Sequence, residues 1–357
     1  MRRIGLISLT LLAGAITSMA QPPEGYYLPA AGKTGTELRT ALYNIIRGHT
    51  VSTYTDLWTH FQTTDDTPDG KVWDMYSDKP GFAPPYVYVF GDNQCGNYTK
   101  EGDCYNREHS FPKSWFGGEV LPMYTDLYHV YPTDGWVNNK RGNYPFGVVS
   151  SPTWTSLNGS RLGPNTWPGY SEVVFEPIDA FKGDFARSMF YMATRYYGED
   201  TSWPTDGEMF TGADPKSWAI SMLLNWHNAD PVNQKEIDRN NAVYGIQNNR
   251  NPFIDKPEYA VHIWGDPSFT GGVPALSAKP VIYPVPARDY IDISLPFEVA
   301  GEVEVRLTNI AGREILALRV EYAEPLRIDI SSLPAGIYIV TLITGQNRTG
   351  SLLPIVK

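Results

Sequence analysis

REHSFPKSW at residues 107–115 and DLYHVYPTDGWVNNKRGNYPFG at 126–147 gather three acids, two imidazoles, several amides and two guanidiniums within a few tens of positions. Histidine is the side chain whose ordinary pKa lies near neutrality, so acid–base chemistry is sought first among the six histidines. His109 and His129 stand inside this cluster. His49 and His60 sit in an acidic stretch with no motif and are expected to be surface or structural residues. His227 and His262 follow apolar runs and are expected to pack. Glu108 and His109 are adjacent, and on an extended strand neighbours point to opposite faces. One could hold a metal while the other works on a water only if the backbone bends or the ligands approach from different sides. Spacing alone leaves that pairing open.

Outward from this region, the chain of 357 residues is long for one domain and suggests a catalytic-sized domain with a smaller appendage. Hydrophobic residues make up 42% and charged residues 19%, which excludes intrinsic disorder. The 32 Gly and 29 Pro point to many turns on a mixed scaffold rather than a helical bundle. A net charge of −10 argues against a protein that coats nucleic acid with a broad basic surface, while leaving room for a local basic site. Helical spacing predicts a first helix after Thr34, with Leu38, Leu42, Ile45 and Ile46 on one face and Thr36 as its cap. A second is expected from about Asp184 to Tyr197, with Arg187 and Arg195 on a solvated face or at phosphate, and a third from Ser217 to His227.

Residues 1–20 read as a secretory signal: Arg2 and Arg3, an apolar run from Ile4 to Ile16, then Ser18-Met19-Ala20, with cleavage before Gln21. No membrane span is expected, since that run is short for the hydrocarbon thickness. Cys95 and Cys104 are the only cysteines, and in an oxidising compartment they are expected to form a small disulfide loop. Two cysteines cannot build a Cys-rich zinc site.

Hydrolysis of a phosphodiester needs a base for the attacking water, a cation for the charge of the transition state, and donors to hold phosphate. The 107–147 region offers all three. Carboxylate and amide oxygens suit Mg²⁺ better than Zn²⁺, and no HExxH, GxSxG or P-loop pattern competes. With FEP at 175–177, KGDFAR at 182–187 and NRNPF at 249–253, these blocks resemble, in order, the secreted endonuclease I family of bacterial nucleases.

The resemblance implies an α+β fold in which a ββα-metal, or His-Me finger, arrangement is embedded. It implies that Glu108 is a ligand of a divalent cation, Mg²⁺ by preference, and that His109 is the general base. Asn138, six residues beyond Pro132, matches the second metal ligand, with Asn139 as the rival. Arg141 and Asn143 match an Arg-x-Asn continuation suited to phosphate contact or orientation, and Arg107 is a further phosphate candidate. Tyr128 departs from the family, where His is common, so His129 is expected to orient or support. NRNPF is expected to pack. The implied activity is sequence-nonspecific cleavage of DNA, with RNA as a second substrate, by a monomer. The reading from another class is a noncatalytic surface protein that binds glycan or nucleic acid through its aromatic residues.

Near residue 270 the composition changes. Residues 271–280 read as a linker, dividing a catalytic domain at 21–270 from short alternating runs at 281–357 that suggest a small β-sandwich. Tyr283-Pro284-Val285-Pro286, Gly312-Arg313, Leu333-Pro334-Ala335-Gly336-Ile337-Tyr338 and Val356-Lys357 resemble the C-terminal sorting domain of the type IX secretion system, with Val285 where Asn is usual. That resemblance implies contact with the type IX machinery and an extracellular or cell-surface destination.

Overall fold

The computed structural model describes residues 22–265 and, further on, 281–283, 287–294, 302–309, 314–321, 325–344 and 347–355. The expected signal sequence and the 271–280 linker lie outside the described residues. The chain divides into two compact units, Met1–Gly265 and Asp266–Lys357.

In chain order the first unit contains α1 (Gly35–Ile46), α2 (Leu57–Thr64), β1 (Tyr105–His109), β2 (Val130–Asp134), α3 (Gly135–Arg141), β3 (Trp154–Thr155), β4 (Arg161–Pro164), β5 (Val173–Glu176), α4 (Lys182–Arg195), β6 (Phe210–Thr211), β7 (Asp214–Pro215), α5 (Ser217–Ala229), α6 (Gln234–Gln247), α7 (Pro252–Asp255) and α8 (Glu258–Trp264). β1 and β2 form a two-stranded antiparallel sheet that runs directly into α3. β3, β4 and β5 form a second antiparallel sheet. Helices and sheets are mixed along the chain, as an α+β domain requires.

α1 buries Leu38, Leu42 and Ile46 at spacings of four, the one-sided stripe of an amphipathic helix. Its N-cap is Thr34, so Thr36 lies within the first turn and is not the cap; neither threonine bonds the helix end through its side chain. α4 is different. Every residue from Gly183 to Arg195 is buried, because α1, α5 and α7 pack around it. It therefore has no solvated face, and the expectation for Arg187 and Arg195 is overturned. Arg187 Nη2 donates to Glu236 Oε2 at 2.8 Å, and Arg195 Nε donates to His49 Nδ1 at 3.0 Å. A buried charge survives only when paired, and helices α4 and α6 are tied together by that requirement. The NRNPF segment packs as expected: Asn249 Nδ2 donates to Tyr191 Oη at 2.8 Å, and Asn251 caps α7.

The second unit is a β-sandwich by itself. β8 (Val281–Tyr283), β9 (Tyr290–Ser294) and β12 (Leu326–Asp329) form one sheet. β10 (Glu302–Asn309), β11 (Glu314–Glu321), β13 (Gly336–Thr344) and β14 (Asn347–Ile355) form the other. Alternate residues such as Ile291, Ile293, Val303, Val305, Leu307, Val340 and Leu342 make a common apolar core. Of the quoted tail residues, Leu333 is buried in that core and Tyr338 Oη donates to Pro334 O at 2.9 Å. Residues 284–286, 312–313 and 356–357 lie outside the described residues.

Candidate active site

The site is assembled on β1, β2 and α3. Asp134 ends β2 and caps α3: its carboxylate accepts the Val137 amide at 2.7 Å, the Tyr88 hydroxyl at 2.5 Å and the Gly102 amide at 2.8 Å. Asp74 reaches in from a distant loop and accepts the amide of Asp134 itself at 3.0 Å. Burial, and then the charge of Asp134, push the Asp74 carboxyl up to about 8. At neutral pH Asp74 is therefore mostly protonated.

α3 then presents Asn138 and Arg141, one turn apart, to one face of β1. Asn138 Nδ2 donates to Asn106 Oδ1 at 2.7 Å. Arg141 Nη1 lies 3.5 Å from Glu108 Oε1, and the guanidinium donates to the carbonyls of His109 at 3.1 Å and Ser110 at 2.6 Å. Asn106 and Glu108 share that face because side chains alternate along a strand. Glu108 is buried. Its Oε1 accepts from the Tyr76 hydroxyl at 2.9 Å, and no hydrogen bond reaches Oε2 among the described residues. Burial raises its pKa, against the opposing pull of Arg141 and then Tyr76.

His109 occupies the opposite face. Its ring stacks on Tyr124 at 5.2 Å between centroids and lies 6.1 Å from that of Tyr54. Nε2 is 3.0 Å from Tyr124 O. A carbonyl can only accept, so Nε2 carries the proton and the neutral ring keeps its lone pair on Nδ1. Burial, reinforced by His129, Lys113 and Arg107, lowers the pKa of His109 to about 3. The ring is thus an unprotonated base at neutral pH.

Arg107 is half-buried on the His109 side. Its guanidinium lies 3.5 Å from the centroid of Tyr54 and 4.3 Å from that of Trp58, and Nη1 donates to Tyr54 O at 2.7 Å. It borders a cleft of about 410 Å³ whose walls include Tyr54, Trp58, Gln94, Gly96 and Asn106. Cys95 and Cys104 are joined, as expected, and their loop leads into β1.

The other expected positions fall differently. Arg141 is fully buried with Nη1 and Nη2 turned to carbonyls and Glu108, so of the two roles expected for it the geometry suits orientation rather than phosphate contact. Asn143 is exposed just beyond α3. Asn139 is exposed, whereas Asn138 is half-buried against β1. His129 is fully buried with Nε2 2.7 Å from Met123 O, and burial lowers it to about 4. Tyr128 faces the interior, donating to Asn249 O at 2.7 Å. His49 is buried beside Asp126 rather than at the surface, while His60 is half-buried 3.0 Å from Ser52 Oγ. His227 packs, bonding Pro257 O at 3.0 Å.

Residues 34–258 match the family model for Endonuclease I. The chain belongs to the endonuclease I family. Among curated relatives, it is 36% identical over 263 residues to an extracellular ribonuclease of Bacillus amyloliquefaciens, covering 71% of this chain and 82% of that protein. A protein of the same name from Bacillus subtilis is 35% identical over 266 residues, covering 70% and 84%. Endonuclease-1 of Buchnera aphidicola subsp. Baizongia pistaciae is 26% identical over 130 residues, covering 36% and 46%. Residues 281–353 match a secretion system C-terminal sorting domain, here of the type IX kind. The protein is a secreted or cell-surface nuclease. Among the described residues no helix is long and apolar enough to cross a membrane.

Endonuclease I nucleases generally use a divalent metal. The donor set at β1 and α3 fits a hard cation: a buried carboxylate with one oxygen free of hydrogen bonds, and an Asn whose NH₂ group is engaged elsewhere, leaving its carbonyl oxygen as donor. Asp74, Tyr76, Asn106 and Tyr54, which support these groups, were not singled out from the sequence. Only the Asp134-Gly-Trp-Val order carries a local signal, that of a helix cap.

Proposed function

We propose that the protein hydrolyses phosphodiester bonds of DNA, and also of RNA, without sequence preference, leaving 5′-phosphate and 3′-hydroxyl ends and acting as a monomer with Mg²⁺. The observation that carries the reading is His109, a neutral ring whose Nε2–H is fixed on Tyr124 O so that Nδ1 is the basic atom, on the strand that also carries Glu108. Nδ1 takes a proton from water as the water oxygen attacks phosphorus; the bond from phosphorus to the 3′-oxygen breaks, and that oxygen gains a proton from solvent. Glu108 and Asn138 hold the divalent ion, which when bound supplies positive charge against the negative charge building on the phosphoryl group. Arg141 keeps the end of β1 in register through two carbonyls, and Tyr124 fixes the tautomer of the base. Arg107 and the exposed Asn143 contact phosphate. RNA is included because the two Bacillus relatives are named extracellular ribonucleases.

A plasmid-nicking assay with Mg²⁺, repeated on a labelled RNA, tests this. Wild-type protein is expected to cut both and to stop on addition of EDTA, and His109→Ala is expected to lose activity by at least about a hundredfold. Cutting that survives EDTA, or survives His109→Ala, overturns the mechanism. Binding without turnover would favour the noncatalytic alternative.

A further inference from the structure

Arg39, Arg141, Arg187, Arg195, Arg239 and Arg250, the buried arginines of the first unit, each lie within 4.0 Å of a carboxylate. Arg107 has no carboxylate partner among the described residues, and its Nε is buried with no hydrogen bond. Half-buried without a counter-ion, it is held instead by two aromatic rings and by the Tyr54 carbonyl. Such a clamp fixes the guanidinium before any ligand arrives, so little side-chain entropy is lost when an anion is bound. The cleft it borders is polar, with Gln94 and Asn106 among its lining residues, and its volume of about 410 Å³ is at the small end of ligand pockets, suited to one nucleotide unit.

The position of the clamp relative to the base sets which phosphate it meets. Arg107 and His109 are two residues apart on β1 and so point to the same side, about 7 Å apart along the strand. That is the scale of the step from one phosphate to the next in a single strand. Tyr54 spans the interval, with Arg107 over its ring and Tyr124, the partner of His109, stacked 4.3 Å from it.

We propose that this cleft is a subsite for the nucleotide next to the scissile bond, in which Arg107 binds the flanking phosphate while Gln94 faces its sugar and base. The inference rests on the nuclease reading above and names a second phosphate contact within it. The flanking phosphate is spectator charge, so its contact strengthens ground state and transition state alike.

The test is a cycle between the protein and its ligand. Binding of the full-length chain to a short single-stranded oligodeoxynucleotide is followed by fluorescence anisotropy in EDTA. One oligonucleotide has every linkage charged; in the other, alternate linkages are neutral methylphosphonates, so that each phosphate has uncharged neighbours. For the wild type the alternating oligonucleotide is expected to bind at least about tenfold more weakly, the scale of one charge-assisted hydrogen bond. For Arg107→Ala that penalty is expected to shrink by about tenfold, and the slope of log affinity against log salt to fall by about one. Arg107→Lys, which keeps the charge without the planar fork, should restore most of the slope. Equal penalties in wild type and Arg107→Ala, with both folded, overturn the subsite. If Arg107→Ala fails to fold, Arg107→Gln, which removes the charge and keeps much of the stem, carries the same comparison, and an unchanged penalty there refutes it. Cleavage is measured separately with Mg²⁺: a chain that binds as expected and does not cut would defeat the nuclease reading and leave the phosphate subsite standing.

Discussion

Replacing Arg141 by methionine keeps most of the side-chain volume and removes a guanidinium that is fully buried. The structure gives four losses. Glu108 keeps its burial and loses its counter-charge at 3.5 Å, and the carbonyls of His109, Ser110 and Gly142 lose donors at 3.1 Å, 2.6 Å and 3.2 Å. Removing one partner of a buried pair costs about 3–5 kcal/mol; each orphaned carbonyl would add about 1–3 kcal/mol if left dry. The long separation of the ion pair argues for the lower end of its range, so the expected total is about 3–5 kcal/mol. All 10 tryptophans lie between Trp58 and Trp264, so tryptophan emission in a urea titration of the full chain reports on the first unit alone. The second arm repeats the change in a Glu108→Gln background, where no stranded charge is produced. There Arg141→Met should cost at least about 1 kcal/mol less, a coupling of the size contacting residues show. A loss below about 1 kcal/mol in the wild-type background, or the same loss in both backgrounds, would refute the assignment of Arg141 as the group that compensates Glu108 and secures the end of β1.

Asn138→Ala is expected to lower kcat by at least about a hundredfold while Asn139→Ala stays within about threefold, because only the former faces β1; equal effects in a steady-state nicking assay would reverse the assignment. Changing Cys95 and Cys104 together to serine should destabilise the first unit by about 2–3 kcal/mol, read from the same urea titration. The pH dependence of His227 has a definite sign. Burial first, and then Arg187, lower its pKa to about 4, so below its ordinary value the unfolded chain binds a proton that the folded chain does not. Its contribution to stability is present above pH 6.5 and is lost as pH falls toward 4. Relative to His227→Gln, whose side-chain amide can still donate to Pro257 O, the wild type should lose up to about 2 kcal/mol between pH 6.5 and about pH 5. A pH-independent difference between the two would contradict that burial.

The elements that could be read from sequence are those whose cause is local. Leu38, Leu42 and Ile46 announce α1 through spacing, and the alternation of Tyr290-Ile291-Asp292-Ile293 announces a half-buried strand. Glu108, His109 and Asn138 could be picked out because they sit in a dense block resembling a known family. What escaped depended on contacts between distant positions. Arg187 and Arg195 look like a charged helix face until α1, α5 and α7 are packed around them, at which point Glu236 and His49 become visible as their partners. Asp74 and Tyr76 stand some tens of residues before the site in a stretch that is acidic and carries no motif. Asn106 could have been noticed through strand alternation, since it precedes Glu108 by two, yet its use needs Asn138 opposite. Arg141 shows where spacing leaves a choice: an arginine in a nuclease motif suits phosphate contact or orientation alike, and only its burial against Glu108 and the carbonyls of β1 favours orientation.

The β1–β2 pair has five residues to a strand and, taken alone, is too small to be stable in water. Its shape is imposed by Asp74 and Tyr76 from one side, by Arg141 from another, and by Tyr54 and Tyr124 against the base. A partly made or incompletely folded copy therefore has the reactive side chains without their arrangement. Latency of this kind needs no inhibitor or removable segment, and it would spare the nucleic acids of the producing cell until the whole unit has closed.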